Sequence, residues 1–207
     1  MALRDHSLDD RITAAARQEF TEKGYSGASL RKIAEKAGVT VGAIQTRYSS
    51  KDALFSDLIA PFLREIETTF HSIKADYYSG PEENLLGSLQ TSMQHEAAAI
   101  LRLIFDHYGD AMLLFYRSAG SSLEHYFDMV VKSKIEESVL FFRRAGKTDL
   151  NETLLGLLIS TQFDSYRRLV AAYSDRTAAE DCFHSLMTYH SGGWAALFHF
   201  TDPAQEE

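Results

Sequence analysis

Two side chains in the N-terminal quarter of the chain have the right chemistry to read base pairs. Gln45 carries the paired acceptor and donor that match adenine N6 and N7, and Arg47 the paired donors that match guanine O6 and N7 in a major groove. Thr40 can cap a short helix and meet a phosphate. Gln45 and Arg47 either read bases or simply coat an exposed helix. What carries them decides which.

The stretch LRKIAEKAGVTVGAIQTRY, residues 30–48, has the spacing of a helix-turn-helix. Ala34 is small enough to sit where two helices touch. Gly38, four residues later, tolerates the positive φ of a tight turn, and Ile44, six further on, anchors the second helix to the core. An ordinary helical hairpin is the competing reading. Ahead of the motif, Ser7 and Asp10 open a helix with Leu8, Ile12, Ala16 and Phe20 on one face, and Gly24 stops it. Ser29 opens the second helix, whose inward residues are Leu30, Ile33, Ala34 and Ala37. Ser50 caps a long fourth helix with Leu54, Phe55, Leu58, Phe62, Ile66, Phe70 and Ile73 as its stripe. Pro61 lies inside that stripe and should bend it, either as a hinge or as a static kink. After a break at residues 78–81, with Pro81 suited to a first turn, helices are expected at about 82–106, 109–118, 121–144, 149–173 and 177–200. No strand pattern is apparent. The expected fold is all-α with about nine helices: a three-helix helix-turn-helix head, 1–50, and a helical ligand-sensing and dimerisation bundle, 51–207.

Residues 29–55, SLRKIAEKAGVTVGAIQTRYSSKDALF, resemble the tetracycline-repressor (TetR) family. The matching residues are Ala37, Gly38, Val39, Thr40, Gly42, Ile44, Tyr48, Ser50, Lys51, Leu54 and Phe55. The chain departs from the family at Gln45, where a Tyr is usual, and at Thr46, where an aromatic is frequent. The resemblance, together with the side-chain chemistry of Gln45 and Arg47, gives an expected DNA-contacting set of Ser29, Thr40, Val41, Gln45, Thr46, Arg47, Tyr48 and Lys51. Lys51, at the start of the fourth helix, would hold a phosphate with the helix N-terminus. Tyr48 follows Ile44 by four and reads more as core than as contact. The resemblance further implies a homodimer through a four-helix bundle of the last two helices, a cavity in the helical body for a small molecule, and repression of transcription as the usual outcome.

Residues 105–142 are dense in aromatics, which suits a concave apolar pocket as well as an ordinary core. The candidate lining residues are Met93, Phe105, Tyr108, Met112, Tyr116, Tyr126, Phe163 and Tyr166, for an apolar or aromatic-compatible ligand. Residues 154–159, LLGLLI, are apolar all round, which means burial on two sides. Phe183, Leu186, Met187, His190, Trp194, Leu197 and Phe198 extend this apolar pattern toward the C-terminus as a dimer interface, or else form a single-chain core. Of eight histidines, His95, His107, His125 and His190 are scattered, with no i, i+4 pair on one helix, so no local metal site or cofactor is encoded. Adjacent pairs such as Asp106-His107 point apart on a helix, and no phosphate loop or nucleophile elbow is present, so no catalytic residue is expected. A DNA-binding protein without a ligand and a helical scaffold remain as alternatives.

The net charge of −8 argues at first against nucleic acid as partner. The distribution reverses that: residues 1–55 hold nine Lys/Arg against seven Asp/Glu, and the rest 12 against 22. A mildly basic head thus precedes an acidic body. A single cysteine, a polar N-terminus and the lack of a long apolar run lead to the expectation of a soluble cytoplasmic protein with no membrane partner.

Overall fold

The computed structural model describes residues 6–78, 85–147 and 149–198. Among these it contains nine α-helices and no strand. They are α1 (His6–Gly27), α2 (Leu30–Ala37), α3 (Val41–Gln45), α4 (Lys51–Tyr77), α5 (Leu85–Asp106), α6 (Tyr108–Tyr116), α7 (Tyr126–Arg144), α8 (Glu152–Ala172) and α9 (Arg176–Phe198). The all-helical expectation holds. The regular part of α1 ends where Gly24 takes φ 67°. Pro81, Gly80 and Thr148, expected as helix punctuation, lie outside the described residues, as does the charged start of the chain.

One boundary differs from the sequence reading. The helix expected from residue 121 starts at Tyr126. The residues before it form consecutive turns instead, with Ser121 N–H donating to Ser118 O and Glu124 N–H to Ser121 O. Side chains hold these turns: Ser121 Oγ accepts from Leu123 N–H, and Glu124 Oε2 accepts from Gly120 N–H. Polar side chains that bond their own backbone favour such turns over helix.

The chain packs as two compact units. The first joins the described residues up to Arg64 with Gly109–Phe127. Its core is Ile12, Ala16, Phe20, Ile33, Ala34, Ala37, Ile44, Leu54, Phe55 and Leu58, with Leu113 and Leu114 of α6 also buried. The Phe20 and Phe55 rings meet edge to face at 4.9 Å, and Tyr25 meets Phe55 likewise at 5.3 Å. Polar bonds fasten α6 and the turns after it to α1 and α4. Tyr25 N–H donates to Arg117 O at 2.7 Å, Ser122 N–H donates to Asp52 Oδ1 at 2.8 Å, and Arg17 pairs with Asp110. The second unit joins Glu65–Tyr108 with the described residues from Asp128 onward. Its core takes Ile66 and Ile73 from α4, Met93, Ala97 and Ile100 from α5, Phe141 and Phe142 from α7, Leu155, Ile159 and Phe163 from α8, and Phe183 and Trp194 from α9. The division falls within α4, which runs unbroken past Pro61.

Candidate functional site

Ser29 opens α2 by accepting from Lys32 N–H, in an extended backbone that suits an N-cap. Gly38 ends it at φ 65°. Gly38 N–H reaches Glu35 O, and Val39 N–H reaches Ala34 O at 3.0 Å. This is the paired C-terminal closure that favours glycine. A Cβ at Gly38 would lie 2.8 Å from Arg11 Nη2, because that guanidinium reaches in to donate to Ala37 O and Gly38 O. Arg11 therefore fastens α1 to the turn. Thr40 caps α3 by accepting from Ala43 N–H at 3.1 Å. Ile44 is fully buried beneath α3 and Tyr48 is buried just after it. The chain thus presents α3 on two caps and one apolar anchor.

On the outer side of α3, Gln45 and Thr46 are exposed and Val41 is half-buried. Thr46 Oγ1 donates back to Gly42 O at 2.9 Å. Arg47 is placed differently. Only 18% of its side chain is exposed, Nε pairs with Asp9, and Nη1 approaches Ala43 O at 3.4 Å. Lys51 is half-buried. Its ammonium donates to Tyr25 O at 2.7 Å and Ala28 O at 3.0 Å and sits over the Tyr25 ring. Ser29 and Thr40 are exposed at their caps. Of the side chains read from sequence as DNA contacts, the structure therefore brings Ser29, Thr40, Gln45 and Thr46 to the surface. It engages Arg47 and Lys51 in bonds within the head and puts Tyr48 in the core. Asp9 and Arg11, which sequence reasoning did not single out, hold these positions. Their partners stand 26 to 38 residues away, beyond the reach of local spacing.

The body unit contains a cavity of about 60 Å³ lined by residues of α4, α5, α7, α8 and α9. Its walls are apolar: Ile73, Leu89, Met93, Phe141, Phe142, Ile159, Phe163 and Trp194, with Phe70, Lys74, Tyr78 and Glu137 toward its less buried side. Phe70 stacks on Phe163 and Phe142 on Trp194. Glu96, 2% exposed, lies among them. Its Oε2 accepts from Lys134 Nζ at 2.9 Å and from the Tyr77 hydroxyl, while Oε1 has no partner among the described residues. A buried polar atom left unmatched costs on the order of 1–3 kcal/mol, and more when charged. Burial first, then the nearby Glu96 charge, pushes the Tyr77 phenol well above its ordinary range, so it stays a donor. A second polar chain runs from the wall into the core. Trp194 Nε1 donates to Gln162 Oε1 at 3.0 Å, Gln162 Nε2 donates to the Tyr166 oxygen at 2.6 Å, and the Tyr166 hydroxyl donates to Met187 Sδ.

Of the residues read as ligand-lining, Met93 and Phe163 line this cavity, and Tyr166 is buried beside it through Gln162. Phe105 and Tyr108 stack on each other at 6.0 Å and do not line it. Met112, Tyr116 and Tyr126 pack with the head unit. Glu96, Tyr77, Lys134 and Trp194 were missed. The available signal was an acid on the apolar stripe of α5, between Met93 and Ile100. Among the described residues no group of three or more His, Cys, Asp or Glu side chains gathers as metal ligands, and no helix is long and apolar enough to cross a membrane.

Comparison with known proteins points the same way. Residues 12–58 match the family model of bacterial regulatory proteins, tetR family. The chain is 30% identical over 100 residues to the probable HTH-type transcriptional regulator YttP of Bacillus subtilis, covering 48% of this chain and 42% of that one. It is 29% identical over 147 residues to the HTH-type transcriptional regulator AcrR of Shigella flexneri, covering 66% of each. The matched parts thus span less than two thirds of these curated relatives. A TetR-like transcriptional regulator from Rhodococcus sp. RHA1 shares the fold across 95% of this chain and 98% of that one, with a TM-score of 0.61 at 20% identity. With its helix-turn-helix geometry and the matched segment 12–58, the chain carries the N-terminal segment of bacterial regulatory proteins of the tetR family and shares the fold of a TetR-like regulator.

Proposed function

We propose that the chain is a ligand-responsive repressor that binds a palindromic operator as a homodimer and releases it when a small apolar or aromatic molecule enters the body. The observation that carries the DNA-binding part is the exposure of Gln45 and Thr46 on a helix fixed by two caps and by the buried Ile44. Gln45 is the base reader, its amide suited to adenine. The Ser29 and Thr40 caps and the α2 and α3 N-termini meet phosphates. Dimerisation is supported by α8, which buries Leu155 and Ile159 in its own chain yet leaves Leu154 38% and Leu157 63% exposed. Helix α4 is the covalent route of the signal, since residues 51–64 pack with the head and the remainder with the body. A ligand releases DNA only if it binds one arrangement of the dimer better than the other. Such a regulator works in the cytoplasm, where its operator is.

The test is selection of binding sites from random duplex DNA. An inverted repeat with half-sites a whole number of helical turns apart is expected. Gln45→Ala should relax the preference at one position of each half-site, at a cost of about 1–3 kcal/mol there. Failure to enrich any sequence would refute the DNA-binding reading. An enriched site that Gln45→Ala leaves unchanged would remove Gln45 as the reader.

A further inference from the structure

The body cavity is built around one unmet hydrogen-bond acceptor, and this sets the class of molecule it takes. We infer that it receives a compact apolar molecule, about one ring in size, bearing a neutral hydrogen-bond donor (a hydroxyl or N–H) that completes Glu96. This inference rests on the reading above, that the body senses a small molecule.

Three observations carry it. Glu96 is nearly fully buried and lines the cavity, and its Oε1 is unmatched while Oε2 holds two donors. Such an atom favours an incoming donor and repels an incoming acceptor or anion. Next, the charged and amide side chains around it, and the Tyr77 hydroxyl, are already engaged. Lys134 is bonded to Glu96, Tyr77 donates to Glu96, and Gln162 is bonded to both Trp194 and Tyr166. At the less buried side Lys74 pairs with Glu137 at 2.9 Å. The buried unmatched atom in this lining is thus Glu96 Oε1, which calls for a donor. Finally, the charges are balanced. Glu96 pairs with Lys134 and Glu137 with Lys74, so a buried ammonium would add a positive charge with no counter-ion, which a low-dielectric site disfavours. A neutral donor supplies the same hydrogen bond without that penalty. The volume limits size, because about 60 Å³ is far below the roughly 300–1,000 Å³ of sites for drug-sized ligands. Phe70 and Tyr78 are only partly buried, so a single ring enters by displacing them.

The test uses four probes that share a benzene ring: 2-phenylethanol, ethylbenzene, acetophenone and 2-phenylethylamine. The chain has one tryptophan, Trp194, which lines the cavity, so its fluorescence reports occupancy without any DNA present. For the unmodified protein, 2-phenylethanol is expected to bind at least about tenfold more tightly than each of the other three. In Glu96→Gln the amide oxygen stays toward Lys134 and Tyr77 and its NH₂ faces the cavity. The preference between the alcohol and acetophenone should therefore reverse. If Glu96→Gln does not fold, the series on the unmodified protein decides alone. Ethylbenzene or acetophenone binding as tightly as the alcohol would overturn the inference, as would the amine binding tightest or no probe binding. Operator selection is scored separately. Loss of sequence-specific DNA binding would defeat the regulatory reading and leave this chemistry intact, whereas failure of the probe series would do the opposite.

Discussion

At the residue scale, the head is held together by cationic side chains that bond its own carbonyls and carboxylates. Arg11 ties α1 to the turn, Lys51 ties the start of α4 to the carbonyls of Tyr25 and Ala28, and Arg47 is paired with Asp9. Chemical type alone does not reveal these internal bonds, because a guanidinium or ammonium serves a carbonyl, a carboxylate or a phosphate. Gly38 stands where these restraints converge. Gly38→Ala forces a Cβ into the left-handed region, which costs roughly 1–2 kcal/mol. It also pushes Arg11 Nη2 off the two carbonyls it serves. Urea unfolding should therefore show a loss of about 2 kcal/mol or more, together with weaker DNA binding. A loss below about 0.5 kcal/mol, the range of an ordinary surface change, would mean that the turn relaxes and that Arg11 does not hold it.

At the element scale, legibility followed the range of the forces involved. Helices α2 and α3 could be read because their caps, turn and anchor (Ser29, Gly38, Thr40 and Ile44) all act within a few residues. Helix α6 could be found but not placed. What joins it to the head is a backbone carbonyl of Arg117 and a carboxylate of Asp110, whose partners lie some 90 residues earlier. The cavity could not be read, since five helices must converge before Glu96 and Lys134 meet 38 residues apart. Helix α9 shows that one apolar stripe can serve the core and still leave surface. Phe183, Met187, His190 and Trp194, read as interface or core, are buried within the single chain, and among the described residues its exposed large apolar side chains are Tyr189 and Leu197. Helix α8 is apolar on two sides, as its sequence suggests, and Leu157 is the most exposed leucine of that run. Leu157→Glu puts a charge where a partner helix would pack and leaves the chain's own core untouched. It should convert a dimer to a monomer in sedimentation at micromolar concentration, with little change in helicity. A variant that sediments like the unmodified chain would place the dimer contact elsewhere.

At the scale of the whole molecule, the proposed function raises the question of how a chain of net charge −8 would hold a polyanion. Non-specific duplex binding draws on unpaired cations. In the head Arg17, Lys36, Arg47 and Lys51 are all engaged with the protein's own carboxylates or carbonyls. The remainder of the chain, past residue 55, is strongly acidic. Indiscriminate binding should thus be weak, and affinity should come from a few phosphate contacts at helix ends plus base contacts from α3. Asp9→Asn tests this directly. It removes the negative partner of Arg47, and a freed guanidinium near α3 becomes a phosphate contact. In fluorescence anisotropy over a range of salt, non-specific duplex affinity should rise. The slope of log K against log salt should steepen by about 0.9 per head, one phosphate contact each. Operator affinity should rise by a smaller factor than non-specific affinity, so discrimination falls. An unchanged slope with unchanged discrimination would show that Arg47 faces no DNA even when released. Weak general affinity, where measured, would then need a different cause from the internal pairing of the head's cations.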